Sequence, residues 1–162
     1  MKEKFKPKLI LLECFALFFV INGINRFYVA YHGEKFDALI VNDSKKFESL
    51  TDMSVGELYA YYIYWTLATL LIGTLTIGLI NWKNKIGKTN SIPVIIMTFG
   101  LSATGIYTTS IINRYLNYFC EIFGKGYGKS FLIGGFIILL IGIYILWKTL
   151  DKYKKHGTQH SV

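Results

Sequence analysis

The chain has 162 residues, 52% hydrophobic and 17% aromatic, with only two prolines. A length of this order predicts one domain, and four apolar runs of membrane-spanning length argue against a soluble globule. The net charge of +8 would suit a nucleic-acid binder, but the basic residues cluster at the ends of the apolar runs, which is the mark of a membrane protein and not of a nucleic-acid-binding face.

Lys2, Lys4, Lys6 and Lys8 precede the first apolar run, at about 9–30. Basic residues followed by an apolar stretch imitate a secretory signal. The run is too long for one, however, and it ends in Asn22-Gly23-Ile24-Asn25-Arg26 with no small-x-small cleavage site, so it predicts a retained signal anchor. An outer loop, 31–57, follows. Phe36, Ala38–Val41 and Ser44–Glu48 predict one short amphipathic helix lying on the outer surface. Ser54-Val-Gly-Glu57 reads as a capping box, with Met53 placed to staple onto Leu58, and it opens the second run at about 58–80. A short inner loop makes the second and third runs neighbours. Asn90-Ser91-Ile92-Pro93 predicts a cap with proline in the first turn of the third run, about 92–112. The fourth run, about 131–147, begins near Ser130 and leads into a cytoplasmic tail, 148–162, whose polar end from Gly157 is expected to be disordered.

Each run comes close to the roughly 20 residues needed to cross about 30 Å of hydrocarbon as a helix. In lipid every backbone N–H and C=O must pair internally, which selects helices. The predicted fold class is therefore all-α: a four-helix transmembrane bundle forming a single domain over 1–162. Aromatic residues mark both water interfaces, with Tyr28, Tyr31, Tyr59 and Trp65 among those on one side and Trp82 and Trp147 on the other. Counting ionised residues at the run ends gives a net +9 on the side of the termini and zero on the other. The positive-inside rule then places both termini in the cytoplasm. Sixteen lysines against two arginines suggest an AT-rich bacterial genome, and so the inner membrane.

Short words recur in order. Ile24-Asn-Arg ends the first run and Ile112-Asn-Arg the third; Leu70-Leu-Ile-Gly73 lies in the second and Leu139-Leu-Ile-Gly142 in the fourth. Two tandem helical hairpins in parallel repeat are one explanation; the ease with which apolar helices share short words is the other.

The strongest candidate site joins the two Asn-Arg words: Asn22, Asn25 and Arg26 with Asn113, Arg114 and Asn117. Asn22 and Arg26 are four apart and share a helix face, as do Asn113 and Asn117. A pair of guanidinium groups flanked by amides would hold a phosphate or carboxylate bidentately. The competing expectation is that each arginine snorkels to the interface or pairs with Glu34, Asp37 or Glu121. Glu13, an intramembrane carboxylate, is a candidate proton or cation site, against pairing with Lys8, Lys83 or Lys85. Thr66, Thr69 and Gly73 on the second run, and Gly100, Thr104 and Thr108 on the third, form stripes suited to close helix packing or to a hydrophilic path. Gly134, Gly135 and Gly142 suit packing or self-association.

Other motifs exclude chemistry. Gly124-Lys-Gly-Tyr-Gly-Lys-Ser130 lacks the phosphate-loop spacing and reads as a flexible outer turn. Cys14 and Cys120 fall on opposite membrane sides, out of reach of each other. His32, His156 and His160 form no metal site, and no catalytic constellation is visible, so neither cofactor nor enzyme activity is expected.

Three functional classes follow. One is a non-enzymatic accessory or binding protein acting on lipid or on a membrane-protein partner; immunity proteins against pore-forming bacteriocins are similar to it in plan. Another rests on a resemblance: Phe18-Phe19-Val20-Ile21-Asn22-Gly23-Ile24-Asn25-Arg26 and the glycine-bearing second run resemble DoxX-type four-helix membrane proteins over about a third of the chain. The long outer loop departs from that family's pattern, and no sites carry over. The last is a subunit of a homo-oligomeric transporter or channel, with Glu13 and the threonine stripes as pathway.

Overall fold

Proline at the first position of the first helix, where its missing N–H leaves nothing unpaired, starts α1 (Pro7–Tyr31). The computed structural model describes residues 5–84, 86–104 and 111–158, with backbone alone for 154–158. Among these the chain is helical and contains no strand. After α1 come α2 (Gly33–Ile40), α3 (Ser44–Leu50), α4 (Val55–Lys83), α5 (Lys88–Ala103), α6 (Ile111–Glu121) and α7 (Lys129–Thr158).

Three of these helices, α1, α4 and α7, are long and apolar enough to cross a membrane, where the sequence predicts four. The expected third span, 92–112, falls on α5 and α6, with 105–110 outside the described residues. Helix α5 has 16 residues, a rise of about 24 Å against the roughly 30 Å of a hydrocarbon core. Its end has a physical cause. Gly100, Ser102 and Thr104 are weak helix formers, and the Thr104 hydroxyl bonds back to the Leu101 carbonyl at 2.8 Å. The start of α5 also differs from expectation: Gly87 is its cap, and Pro93 sits inside the helix, not in the first turn.

The other runs extend beyond their predicted limits. The expected 58–80 is α4 from Val55 to Lys83, opened by the predicted capping box, in which the Ser54 hydroxyl accepts from Glu57 N–H and the Glu57 carboxylate accepts from Ser54 N–H. The expected tail from 148 is helix up to Thr158, the C-terminal continuation of α7; residues 159–162 lie outside the described residues. The outer loop forms two short helices where one was expected.

Helix α1 is the central element. In its most apolar window 56% of residues are buried, against 28% in α4 and 33% in α7. Its Ile10, Leu17 and Ile21 pack with Leu70 and Ile77 of α4 and Val94 of α5. Its widest contact is with α7, and glycines set the distance. A methyl group on Gly23 would lie 2.7 Å from the Leu139 backbone nitrogen, and one on Gly142 2.8 Å from that of Val20. Lipid gives helices no hydrophobic reason to associate, so close backbone approach and the van der Waals contact it permits supply the attraction. The threonine stripe is borne out only in part: Thr66 and Thr69 are buried and Gly73 packs against Leu17, but the Thr66 and Thr69 hydroxyls bond to the Tyr62 and Trp65 carbonyls of their own helix, and Gly100 has open space beside it. Thr108 lies outside the described residues.

At the Tyr31 end of α1, α2 and α3 fold over as a cap around Ala38, Phe47 and Leu58, with Tyr28 donating to the Leu58 carbonyl at 3.1 Å. The 124–130 turn, expected to be flexible, is docked on this cap. Asp37 accepts from Tyr127 N–H at 3.0 Å. Gly126, at φ +83°, lies so close to the Asp37 carboxylate that a side chain there would strike it.

Candidate functional site

Helical spacing puts Asn22 and Arg26 on one face of α1, and Asn113 and Asn117 on one face of α6. The structure turns these faces toward each other. The Arg26 Nη1 donates to the Asn22 carbonyl at 2.9 Å and to Asn22 Oδ1 at 3.2 Å. Its Nη2 donates to Asn113 O at 3.3 Å, Asn113 Oδ1 at 2.9 Å and Asn117 Oδ1 at 2.7 Å. Asn22 is oriented in turn by donating to the Phe18 carbonyl at 3.0 Å. Arg26 is only 3% exposed, and every one of these acceptors is a neutral amide oxygen. Burying an unpaired charge costs several kcal/mol after relaxation, on the order of magnitude seen for buried ions generally. Five charge-assisted hydrogen bonds offset that cost without cancelling the charge.

The expected pairing of Arg26 with Glu34, Asp37 or Glu121 is replaced by this amide cage. Asp37 is instead engaged with the glycine turn. Arg114 is exposed, so the two guanidinium groups do not converge. The bidentate fork is also not open, because both terminal nitrogens of Arg26 are occupied. Its Nε is buried without a hydrogen bond, and the Cys120 thiol, a weak acceptor, interacts with the guanidinium.

A cleft of about 200 Å³ opens against this cage. Asn25 and Arg26 form its polar wall, Phe36, Leu39 and Ile40 of α2 its roof, Tyr59 and Tyr62 of α4 one side, and Asn113, Asn117, Tyr127 and Phe131 the other. Among these residues Arg26 alone carries a charge. Asn25 is 2% exposed, and neither its Oδ1 nor its Nδ2 has a hydrogen-bond partner. Such an amide costs about 1–3 kcal/mol when left unsatisfied. Burial, then the charges of Glu121 and Asp37 and the neighbouring Tyr59, push the Tyr127 phenol above its usual range, so it stays a neutral hydroxyl.

Glu13 lies toward the opposite end of α1 and is fully buried. Its Oε2 accepts from Asn81 Nδ2 at 3.0 Å, and not from Lys8 or Lys83 as expected; Lys85 lies outside the described residues. Glu13 Oε1 and Asn81 Oδ1 are both buried without a partner. Nearby, Cys14 contacts the Val94 carbonyl and the Thr98 hydroxyl, each at 3.9 Å. Both cysteines are buried and neither forms a disulfide, and no group of three or more potential metal ligands occurs among the described residues.

Sequence reasoning misses Asn81, Cys120 and the aromatic and aliphatic walls from α2 and the 127–131 turn. Asn81 carried a usable signal, being an amide inside the aromatic boundary at Trp82. The α2 wall carried none, since nothing local says which loop residues fold back over a helix end. No family model, curated protein or solved structure matches the chain, so neither the DoxX-type resemblance nor the immunity-protein plan has a match behind it.

Proposed function

We propose that this chain is a small multi-pass protein of the bacterial inner membrane that acts by binding, not by catalysis. It holds an anionic group at the outer end of its bundle and serves as an accessory to lipid or to a membrane-protein partner. The observation that carries this reading is Arg26, a buried guanidinium surrounded by neutral oxygens and facing a cleft with no acid among its described lining residues. Such a site has charge to spare, and an anion would neutralise it.

The reading includes four crossings, the fourth made by α5 and α6 in succession. Three tethers along α1 support it. Asn90 at the start of α5 accepts from Lys6 N–H at 2.7 Å. Thr98 meets Cys14 further along. Asn117 of α6 meets Arg26 near the far end. Helices α5 and α6 therefore each lie against α1, α5 along its first half and α6 near its far end. Helix α7 runs back along α1, with Gly135 beside Arg26, Gly142 beside Val20, and Tyr153 beneath the Lys6 ammonium at 5.3 Å. The lysine-bearing helix ends thus share one end of the bundle, in keeping with cytoplasmic termini.

The test is lipid co-purification from bacterial membranes. Arg26→Gln should lose bound anionic lipid, while Arg114→Ala should keep it. A folded Arg26→Gln protein with the wild-type lipid content would sink the reading. Where Arg26→Gln fails to fold, the wild-type protein decides: co-purification with no enrichment of anionic over zwitterionic lipid would equally sink the reading. A second reading, a subunit of an oligomeric transporter, draws on the full burial of Glu13 beside Asn81; proteoliposome flux unchanged by Glu13→Gln would remove it.

A further inference from the structure

The cleft's unsatisfied groups specify more than a negative charge. Asn25 offers a donor, Nδ2, and an acceptor, Oδ1, and both are buried and unused. A single occupant that satisfies both must present an acceptor oxygen and, next to it, a proton donor. The charge balance narrows the class. Arg26 is the one charged residue among the described residues of the lining, so a doubly charged phosphomonoester would leave an excess negative charge and a zwitterion would leave the guanidinium uncompensated. A phosphodiester of net charge −1 balances it. A diester phosphate carries no proton of its own at neutral pH, so the donor to Asn25 Oδ1 has to be a separate hydroxyl on the headgroup.

We propose, resting on the reading of this cleft as an anion site, that it selects a hydroxyl-bearing phosphodiester, the glycerophosphoglycerol chemistry of an anionic phospholipid. The phosphate would face Arg26 and Asn25 Nδ2, and the glycerol hydroxyl would donate to Asn25 Oδ1. About 200 Å³ admits a phosphate and a short polyol. The exposed side chains of Ile40 and Tyr59 at the rim suit the acyl-bearing side of a lipid.

Three lipids separate the charge from the hydroxyl. Full-length protein in detergent is titrated with phosphatidylglycerol, phosphatidylmethanol (anionic, no headgroup hydroxyl) and phosphatidylethanolamine, and bound lipid is counted by native mass spectrometry. Phosphatidylglycerol should bind about tenfold more tightly than phosphatidylmethanol, the scale of one buried hydrogen bond, and phosphatidylmethanol more tightly than phosphatidylethanolamine. In Asn25→Leu the first preference should vanish while the second persists. Deacylated glycerophosphoglycerol added as competitor identifies the source: displacement at equal concentration assigns the soluble diester, no displacement the lipid, and either agrees with the chemistry. Equal binding of phosphatidylglycerol and phosphatidylmethanol to the wild type overturns the hydroxyl selection and leaves the anion site standing. Equal binding of all three overturns both. The wild-type comparison decides even if Asn25→Leu does not fold.

Discussion

Two buried ionisable side chains, Glu13 and Arg26, are held by amides and not by opposite charges. An amide can donate or accept, so it meets either sign of charge, and it can be buried at lower cost than a second ion. At Glu13 the match is incomplete, because Oε1 and the Asn81 Oδ1 are both left as acceptors. Glutamine at position 13 supplies the missing N–H. Glu13→Gln should therefore raise stability by about 1 kcal/mol near neutral pH, whereas Asn81→Leu, which strips the carboxyl of its donor, should lower it by about 1–3 kcal/mol. Thermal unfolding in detergent reads both; a Glu13→Gln protein less stable than Asn81→Leu would refute the account. The charged residues of these pairs were legible in the sequence, because Glu13 and Arg26 interrupt apolar runs. Most of their environment was not. Asn22, Asn113 and Asn117 were picked out by spacing, but as ligands to an anion; the structure spends them on the guanidinium itself, a choice that depends on how α1 and α6 meet.

Glycine position decides how the helices associate. Gly135 and Gly142 of α7 lie against α1, where an added methyl would sit 2.8 Å from Arg26 Cβ and from the Val20 nitrogen respectively. Gly78 of α4 has open space beside it. The two classes should respond oppositely. Gly142→Val should cost about 1–3 kcal/mol, since neither backbone can retreat without losing the seam, while Gly78→Ala should be neutral or stabilising by up to about 1 kcal/mol through helix propensity. Unfolding of each variant in the same detergent checks the contrast, and equal losses at both positions would contradict it. The sequence marks Gly135 and Gly142 as packing candidates because they recur at helical spacing, but Gly73 and Gly100 carry the same mark. Gly73 meets only the flexible end of Leu17, and Gly100 meets nothing. Hydropathy likewise reads 92–112 as one run, because it sums transfer preferences and takes no account of helix continuity. Serine, threonine and glycine dilute it too little to break the run, yet they are the residues that end α5 at Ala103.

The arrangement of the whole molecule turns on whether α5 and α6 together carry the chain across the bilayer. Three crossings would put the loop before α7 on the same side as the α4–α5 connection. Four would put it with α2 and α3, as the docking of Tyr127 on Asp37 favours. Lys45, Lys83 and Lys125 are exposed and lie in the α3 cap, at the end of α4 and before α7 respectively. Both native cysteines are buried, so background labelling is low. With single cysteines introduced at these positions, a membrane-impermeant maleimide added to intact spheroplasts should label Lys45→Cys and Lys125→Cys. Lys83→Cys should label only after permeabilisation. Protection of Lys125→Cys together with Lys83→Cys would restrict the crossings to α1, α4 and α7. In that event the Arg26–Asn117 contact could not form across one leaflet, and the cleft proposed to take an anion, which needs α1, α2, α4, α6 and α7 to meet at one end, would be lost with it. The labelling result therefore decides the topology and the existence of the site together, because the cleft belongs to no single helix.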